Sequence, residues 1–151
     1  MLVILAILIV PTAVSARLGE TALECQTRYG KPVIVKKESG LLIFKKSGFY
    51  IEVTFWKEKA HELKLYKVKE DVIGNSEEMS ETELGVFLKA NQGTSTWSKD
   101  KGFSMNKNWA RADDAAIASY VSMKNILMMR TKEYNNHLVA EKAKKEKKNI
   151  D

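Results

Sequence analysis

Residues 49–56, FYIEVTFW, limit the fold more than any other stretch of this chain. Phe49, Ile51, Val53 and Phe55 alternate with Tyr50, Glu52, Thr54 and Trp56. A period of two places the first set on one side of a strand and the second set on the other. Ser47-Gly48 precedes this strand and Lys57-Glu58-Lys59 follows it. Further apolar runs lie at 33–35, 41–44 and 61–68, with Ser39-Gly40 as another turn. Connections this short cannot hold a crossover, so the pattern predicts antiparallel hairpins with one face buried and one face polar. In the last run, Leu63 and Leu65 are expected to share a face with His61 and Lys67.

A helix is expected before the hairpins, over about 20–29 within LGETALECQTRYGKP (18–32). Gly19 is the predicted N-cap, with Glu20 in the first turn near the positive end of the helix dipole. Leu18 and Leu23 have the spacing of a hydrophobic staple, Gly30 suits the stop and Pro32 the exit. Its apolar side would carry Ala22, Leu23, Cys25 or Gln26, and Tyr29. Ten residues do not hold a helix alone in water, so the segment must pack on the sheet.

A second helix start appears at 79–84, MSETEL, after a polar break at 71–78. Ser80 with Glu83 forms a capping box and Met79 with Leu84 a staple. Leu84, Phe87 and Leu88 recur at helical spacing, and Gly93 closes the segment. Beyond it come a short run around Trp97, a Gly/Asn/Ser-rich loop, and a hairpin turning at Asp113-Asp114. The last strand-like segment is 125–134. Aligning 18–23 with 79–84, at an offset of 61, gives three identities in six positions. Strand-like pattern follows each copy. The expected fold class is α+β: short helices packed on antiparallel sheet, as two tandem helix-plus-sheet units at 17–70 and 79–138.

The two ends of the chain read differently from this domain, 17–138. Residues 2–10 are nine consecutive apolar side chains, followed by Pro11, Thr12 and the small residues around Val14 and Ala16. This is the pattern of a signal peptide (1–16) cleaved between Ala16 and Arg17, and it predicts an exported protein, periplasmic or secreted. Nine helical residues span about 14 Å, roughly half a hydrocarbon core. Membrane contact is expected only if that segment stays uncleaved, which would make the chain an envelope-anchored structural protein. The tail, 139–151, is rich in Lys, Glu and Ala without an apolar stripe, and reads as a frayed solvent helix or a disordered segment. The net charge of +6 allows anionic partners such as lipid head groups or wall polymers, and equally serves plain solubility. Nucleic acid is not an expected partner of an exported chain.

Residues that carry chemistry are sparse. Cys25 is the single cysteine, so no internal disulfide can form. It falls mid-helix, away from the helix N-terminus that lowers a thiol pKa, and reads as a small buried hydrophobe or a link between chains. His61 and His137 are 76 positions apart, and neither HExxH nor CxxC occurs. Asp113-Asp114 suits a turn better than an acid–base pair. No phosphate loop or nucleophile elbow is present. No catalytic residue, metal or cofactor is therefore assigned. The candidate ligand contacts are Tyr50, Trp56, Tyr66 and Lys64: the aromatics fall on the polar side of the sheet with Lys57, Lys64 and Lys67 nearby, and aromatics interleaved with Lys can stack on sugars, bases or Pro-rich peptides. A helix or the second unit could instead cover that face. The reading favours a non-catalytic binding, inhibitory or scaffold module for a protein or envelope component, with an enzyme of unrecognised type as the alternative.

Gly19, Thr21, Tyr29, Gly30 and Pro32 also carry a resemblance. This helix start, Tyr-Gly-Lys-Pro and the strands after it resemble the opening of SmpA/OmlA-like and β-lactamase-inhibitor-protein-like domains. Together with Trp109-Ala110-Arg111-Ala112-Asp113, the whole chain resembles small exported bacterial proteins. The resemblance implies helices on an antiparallel sheet and a non-catalytic binding or scaffold role. The chain lacks the lipid-attachment Cys of the lipoprotein members.

Overall fold

The computed structural model describes residues 17–68, 76–102 and 104–148. The predicted cleavage residue Ala16, and residues 71–75 of the polar break, lie outside them. Helix α1 (Ala22–Tyr29) leads into strands β1 (Ile34–Lys36), β2 (Leu41–Lys46), β3 (Phe49–Trp56) and β4 (Lys59–Val68). The short β5 (Ser76–Glu77) precedes α2 (Glu81–Ala90), β6 (Trp97–Lys99), β7 (Lys107–Arg111), β8 (Ala116–Val121), β9 (Ile126–Thr131) and α3 (Lys132–Lys148). All pairings are antiparallel, and the sheet order is β1-β2-β3-β4-β9-β8-β7-β6, with β5 also on β4.

The fold is thus α+β with two helix-plus-sheet units in tandem. Each unit is a helix followed by a four-stranded meander, and the final strands β4 and β9 pair to make one continuous sheet. The seam register places Glu62 opposite Arg130, Leu63 opposite Met129 and Lys64 opposite Met128.

Both leading helices pack on the same face. Cys25 and Tyr29 from α1, and Leu84, Phe87 and Leu88 from α2, join Phe44, Ile51, Val53, Leu63, Leu65, Tyr120, Leu127 and Met129 in one core. The alternation of 49–56 is realised: Ile51 and Val53 are fully buried under the helices, while Tyr50 and Glu52 face the other way.

The first helix starts later than its sequence suggests. Gly19 does not cap it. The Gly19 amide donates to the carbonyl of Ala60, and the Ala60 amide donates to that of Glu20. This stretch of backbone is held against the start of β4, so the helix begins only when Thr21 can accept from the Glu24 amide. Thr21 and Glu24 form the capping box. No staple forms, because Leu23 is 74% exposed while Leu18 turns into the core. Glu20 pairs with Arg28 instead of serving the dipole.

The caps also re-register the repeat. Thr21–Glu24 superposes in role on the Ser80–Glu83 box of α2, an offset of 59 and not 61. Cys25 then corresponds to Leu84 and Tyr29 to Leu88, all buried.

Two further expectations change. Phe55 pairs with Ala60 and Thr54 with Glu62, which leaves His61 as the extra residue of a bulge. Ala60 therefore takes the core position, and His61 leaves the face of Leu63 and Leu65. The segment 125–134 is a strand only to Thr131, because the Thr131 hydroxyl accepts from the Tyr134 amide and α3 starts there. Residues 139–148 are the exposed second half of α3 and bury no side chain.

Candidate functional site: the open face of the sheet

Among the described residues, α1 and α2 leave the opposite sheet face free of a helical layer, apart from the first turns of α3 at one end. The four residues singled out from sequence all project on this side, in three different settings.

Tyr50 and Tyr66 are directly opposed on β3 and β4, with rings stacked at 5.6 Å and 6°. Ile43 completes their cluster, and Ile34, Leu41, Val68 and Ile126 pack around it. The Tyr66 hydroxyl donates to Glu52 at 3.0 Å. Burial, then the Glu52 carboxylate, push the Tyr66 phenol well above its ordinary pKa. This pair tiles the sheet and gives little free ring surface, since each residue is under a tenth exposed.

Trp56 lies beneath α3. His137 stacks on it at 4.8 Å, His61 meets it edge-on at 5.0 Å, Tyr134 lies at 5.6 Å, and the Lys57 ammonium sits 4.1 Å from the ring centroid. The two histidines, 76 positions apart in sequence, therefore meet on one indole. His61 Nδ1 is 2.7 Å from the Thr131 hydroxyl. Burial, aided by Lys57, lowers the His61 pKa, and Glu133 opposes that shift. Cover by a helix, the alternative expected for this face, is thus what happens at Trp56.

Lys64 belongs to the seam. Its ammonium is 3.2 Å from Glu62, which is also held by Arg130, with Arg130 Nε donating to Glu62 Oε2 at 2.6 Å. Arg130 Nη1 donates to Asn135 of α3. Glu62 is buried and both cations bear on it, so the carboxylate is satisfied and the two units are locked together. Lys67, by contrast, emerges on the helix side and pairs with Glu83.

Beyond the seam, the second unit has a hollow of about 290 Å³ lined by Asp100, Asn108, Ile117, Ser119, Met128 and Arg130, with backbone of β7 and β8. The Ser119 hydroxyl donates to Asn108 Oδ1. Apolar Ile117 and Met128 thus sit beside satisfied amide, hydroxyl and guanidinium groups. Sequence reasoning did not find these residues. The alternation Ile117-x-Ser119 was legible, but residues 126–129 are apolar throughout and gave no face to Met128 or Arg130.

The other groups considered for chemistry are structural. Cys25 is inaccessible, and burial followed by the charge of Glu20 pushes its thiol up to about 12. It stays protonated, and no thiolate nucleophile is available at neutral pH. Asp113 serves the β7–β8 turn by accepting from the Ala115 amide and from Arg111 Nε. Arg111 Nη1, Asn91 Nδ2 and Trp97 Nε1 donate to the carbonyls of Asn91, Phe87 and Leu88. Within the Trp-x-Arg-x-Asp segment, Arg111 therefore helps to cap the end of α2 and Asp113 turns a hairpin. Among the described residues no group of three or more His, Cys, Asp or Glu could hold a metal ion, and no helix is long and apolar enough to cross a membrane.

The fold is an α+β module whose two leading helices pack on one face of an antiparallel sheet. No family model, curated protein or solved structure matches the chain.

Proposed function

We propose that this chain is an exported, non-catalytic binding module whose open sheet face takes a protein partner with an acidic rim. This is the kind of role implied by its resemblance to small exported bacterial domains. The observation that supports it most is the make-up of the face across the β4–β9 seam. Tyr50, Tyr66, Met128 and Arg130, the residue types favoured at interface centres, are held in place by one another, while Ile117 and Ser119 border a shallow hollow. Preorganised side chains lose little freedom on association, which favours binding. Glu52 and Glu62 of this face are engaged by Tyr66, Arg130 and Lys64, and Lys36 and Lys45 are exposed on the same side. That balance suits an acidic rim on the partner. Export follows from the apolar run and the small residues before Arg17, and an intact mass lacking residues 1–16 would be its signature.

The test is paired capture. Wild-type protein and two variants, Met128→Asp on the open face and Val86→Ser on the outer side of α2, are used as bait against the envelope fraction. The expected result is one discrete protein retained by wild type and by Val86→Ser, and lost by Met128→Asp with its melting temperature kept within a few degrees. Equal retention by Met128→Asp, or loss with Val86→Ser alone, would overturn the assignment of the face.

A further inference from the structure

The C-terminal half of α3 has no role in holding the fold. From Lys132 to Lys148 the helix runs about 24 Å. Its base is fixed: His137 and Tyr134 pack on Trp56, Asn135 accepts from Arg130, and Glu133 pairs with Lys57. From Ala140 to Lys148 every residue except Glu141 is exposed, and the stretch 139–148 carries five lysines against two glutamates. The side chains of Lys142 and Lys144 are 80% and 72% accessible. A clamped base and a solvated basic end make a rigid cationic arm.

The position of the chain entry gives this arm a direction. Leu18 and Gly19 line the same hollow, about 390 Å³, as Lys132 and Glu133. Sixteen residues precede Arg17, and residues 2–10 of these are wholly apolar. The chain entry at Leu18 and the start of the lysine-rich helix therefore lie side by side, at one end of the sheet. An anionic phospholipid surface carries the charge complementary to this arm and attracts clustered lysines within a Debye length of the head groups.

We propose that the C-terminal half of α3 docks this protein on an anionic phospholipid surface, with Lys144, Lys145 and Lys148 as its principal contacts. The attraction is electrostatic, because no apolar stripe runs along the exposed half of the helix, so it acts at the head groups without insertion. It requires no free open face and is independent of the partner proposed above.

The experiment is co-sedimentation of the full chain with vesicles of phosphatidylcholine containing phosphatidylglycerol, against vesicles of phosphatidylcholine alone, at low and high salt. The expected outcome is a preference for the anionic vesicles that fades as salt rises. The triple substitution Lys144→Gln, Lys145→Gln, Lys148→Gln lies outside the packed domain and should leave the melting temperature unchanged. It should weaken anionic binding on the order of a hundredfold, at about fivefold per lysine. Any binding driven by residues 2–10 would be common to both vesicle types and is removed by the comparison. Equal binding to the two vesicle types, or no loss in the triple variant, would overturn the proposal. So would equally tight, equally lysine-dependent binding to a DNA oligonucleotide, which would mark the arm as a general polyanion contact.

Discussion

In the first unit, the helix is eight residues long and buries only Cys25 and Tyr29, whereas α2 in the second unit buries Leu84, Phe87 and Leu88. The two helices begin alike, with a hydroxyl and a glutamate exchanging hydrogen bonds, and end differently. α1 stops at Gly30, whose φ of 88° is open to glycine, with an ion pair from Glu20 to Arg28 along its side. α2 ends on three side-chain donors, Asn91, Trp97 and Arg111, drawn from its own cap and from β6 and β7. The open face shows the reverse weighting. The first unit closes its half with the stacked tyrosines, and the second leaves a hollow. One plan, used twice, has been finished as a tightly tiled half and as a recessed half, with the deeper helix anchoring the half that has the recess.

The strongest test of this contrast is the core. Phe87→Ala, at 2% exposure, should cost about 3–5 kcal/mol, the range for an aromatic truncated in a packed core. Cys25→Ala removes a single buried sulfur and should cost only about 1 kcal/mol. Urea denaturation gives both values, and comparable losses would mean that the two helices anchor the fold equally.

Next in size is the joint between the halves. Asn91 is buried, its Oδ1 accepts from the Leu18 amide at 2.7 Å, and its Nδ2 donates to the Phe87 carbonyl. Asn91→Ala would strand a partly buried donor and a buried acceptor, at a cost of about 2–3 kcal/mol. Hydrogen exchange should show lost protection at Gly19 and Ala60 in the first unit as well as along α2. Loss confined to α2 would show that the halves are stable independently.

The caps bring the units back to parity. Thr21→Ala and Ser80→Ala should each cost about 1 kcal/mol, since each removes the same acceptor from the same position. The capping bonds also hold the Glu24 and Glu83 carboxyls below their ordinary pKa. That stabilisation is present above the ordinary glutamate value of 4.5 and is lost as the pH falls through the lowered ones. Both variants should therefore be relatively less harmful in acid. A cap that costs nothing in one unit would mean that packing alone fixes that helix.

Local rules of the chain reached the fold wherever one residue type had one use. The alternation of 49–56, the Ser80–Glu83 box and the Asp113-Asp114 turn stand as their residues dictate. The misreadings share a cause, which is a contact made across the sheet. Gly19 looked like a cap, but its amide belongs to β4. His61 looked like a core-side strand residue, but a bulge one position long turns it toward α3. The repeat was seen in the wrong register because Thr21 and Thr82 align as letters, while Thr21 and Ser80 align as caps. At the candidate site, the period of two assigns Tyr50, Trp56 and Tyr66 to one face; Lys64 lies on that face with them, while Lys67 lies on the helix side. The pairing of β4 with β9 brings Arg130, Met128 and Ser119 there from more than fifty residues away, and no local pattern encodes that seam.

The smallest expected effect bears on the one place where α3 adds to the first unit something the second unit lacks. His61 lies between Trp56, Tyr134 and the Thr131 hydroxyl, facing Lys57 and Glu133, with His137 stacked on the same indole. Burial lowers its pKa from 6.5, and the Lys57 charge adds to that more weakly than burial does. The folded protein therefore binds the His61 proton less readily than the unfolded chain. The stability this represents is fully present above about pH 6.5 and is lost as the pH falls through the depressed folded value. Melting temperature should fall between neutral and mildly acid pH, and His61→Asn, which retains a group for Thr131, should flatten that fall. A decline that persists unchanged in His61→Asn would show that His61 is not its source. Helicity of α3 followed in the same titration should drop with the melting temperature if Trp56 is what holds the arm. An α3 that unravels in acid while the sheet is unaffected would show that the helix is an attachment to the first unit and not part of its core.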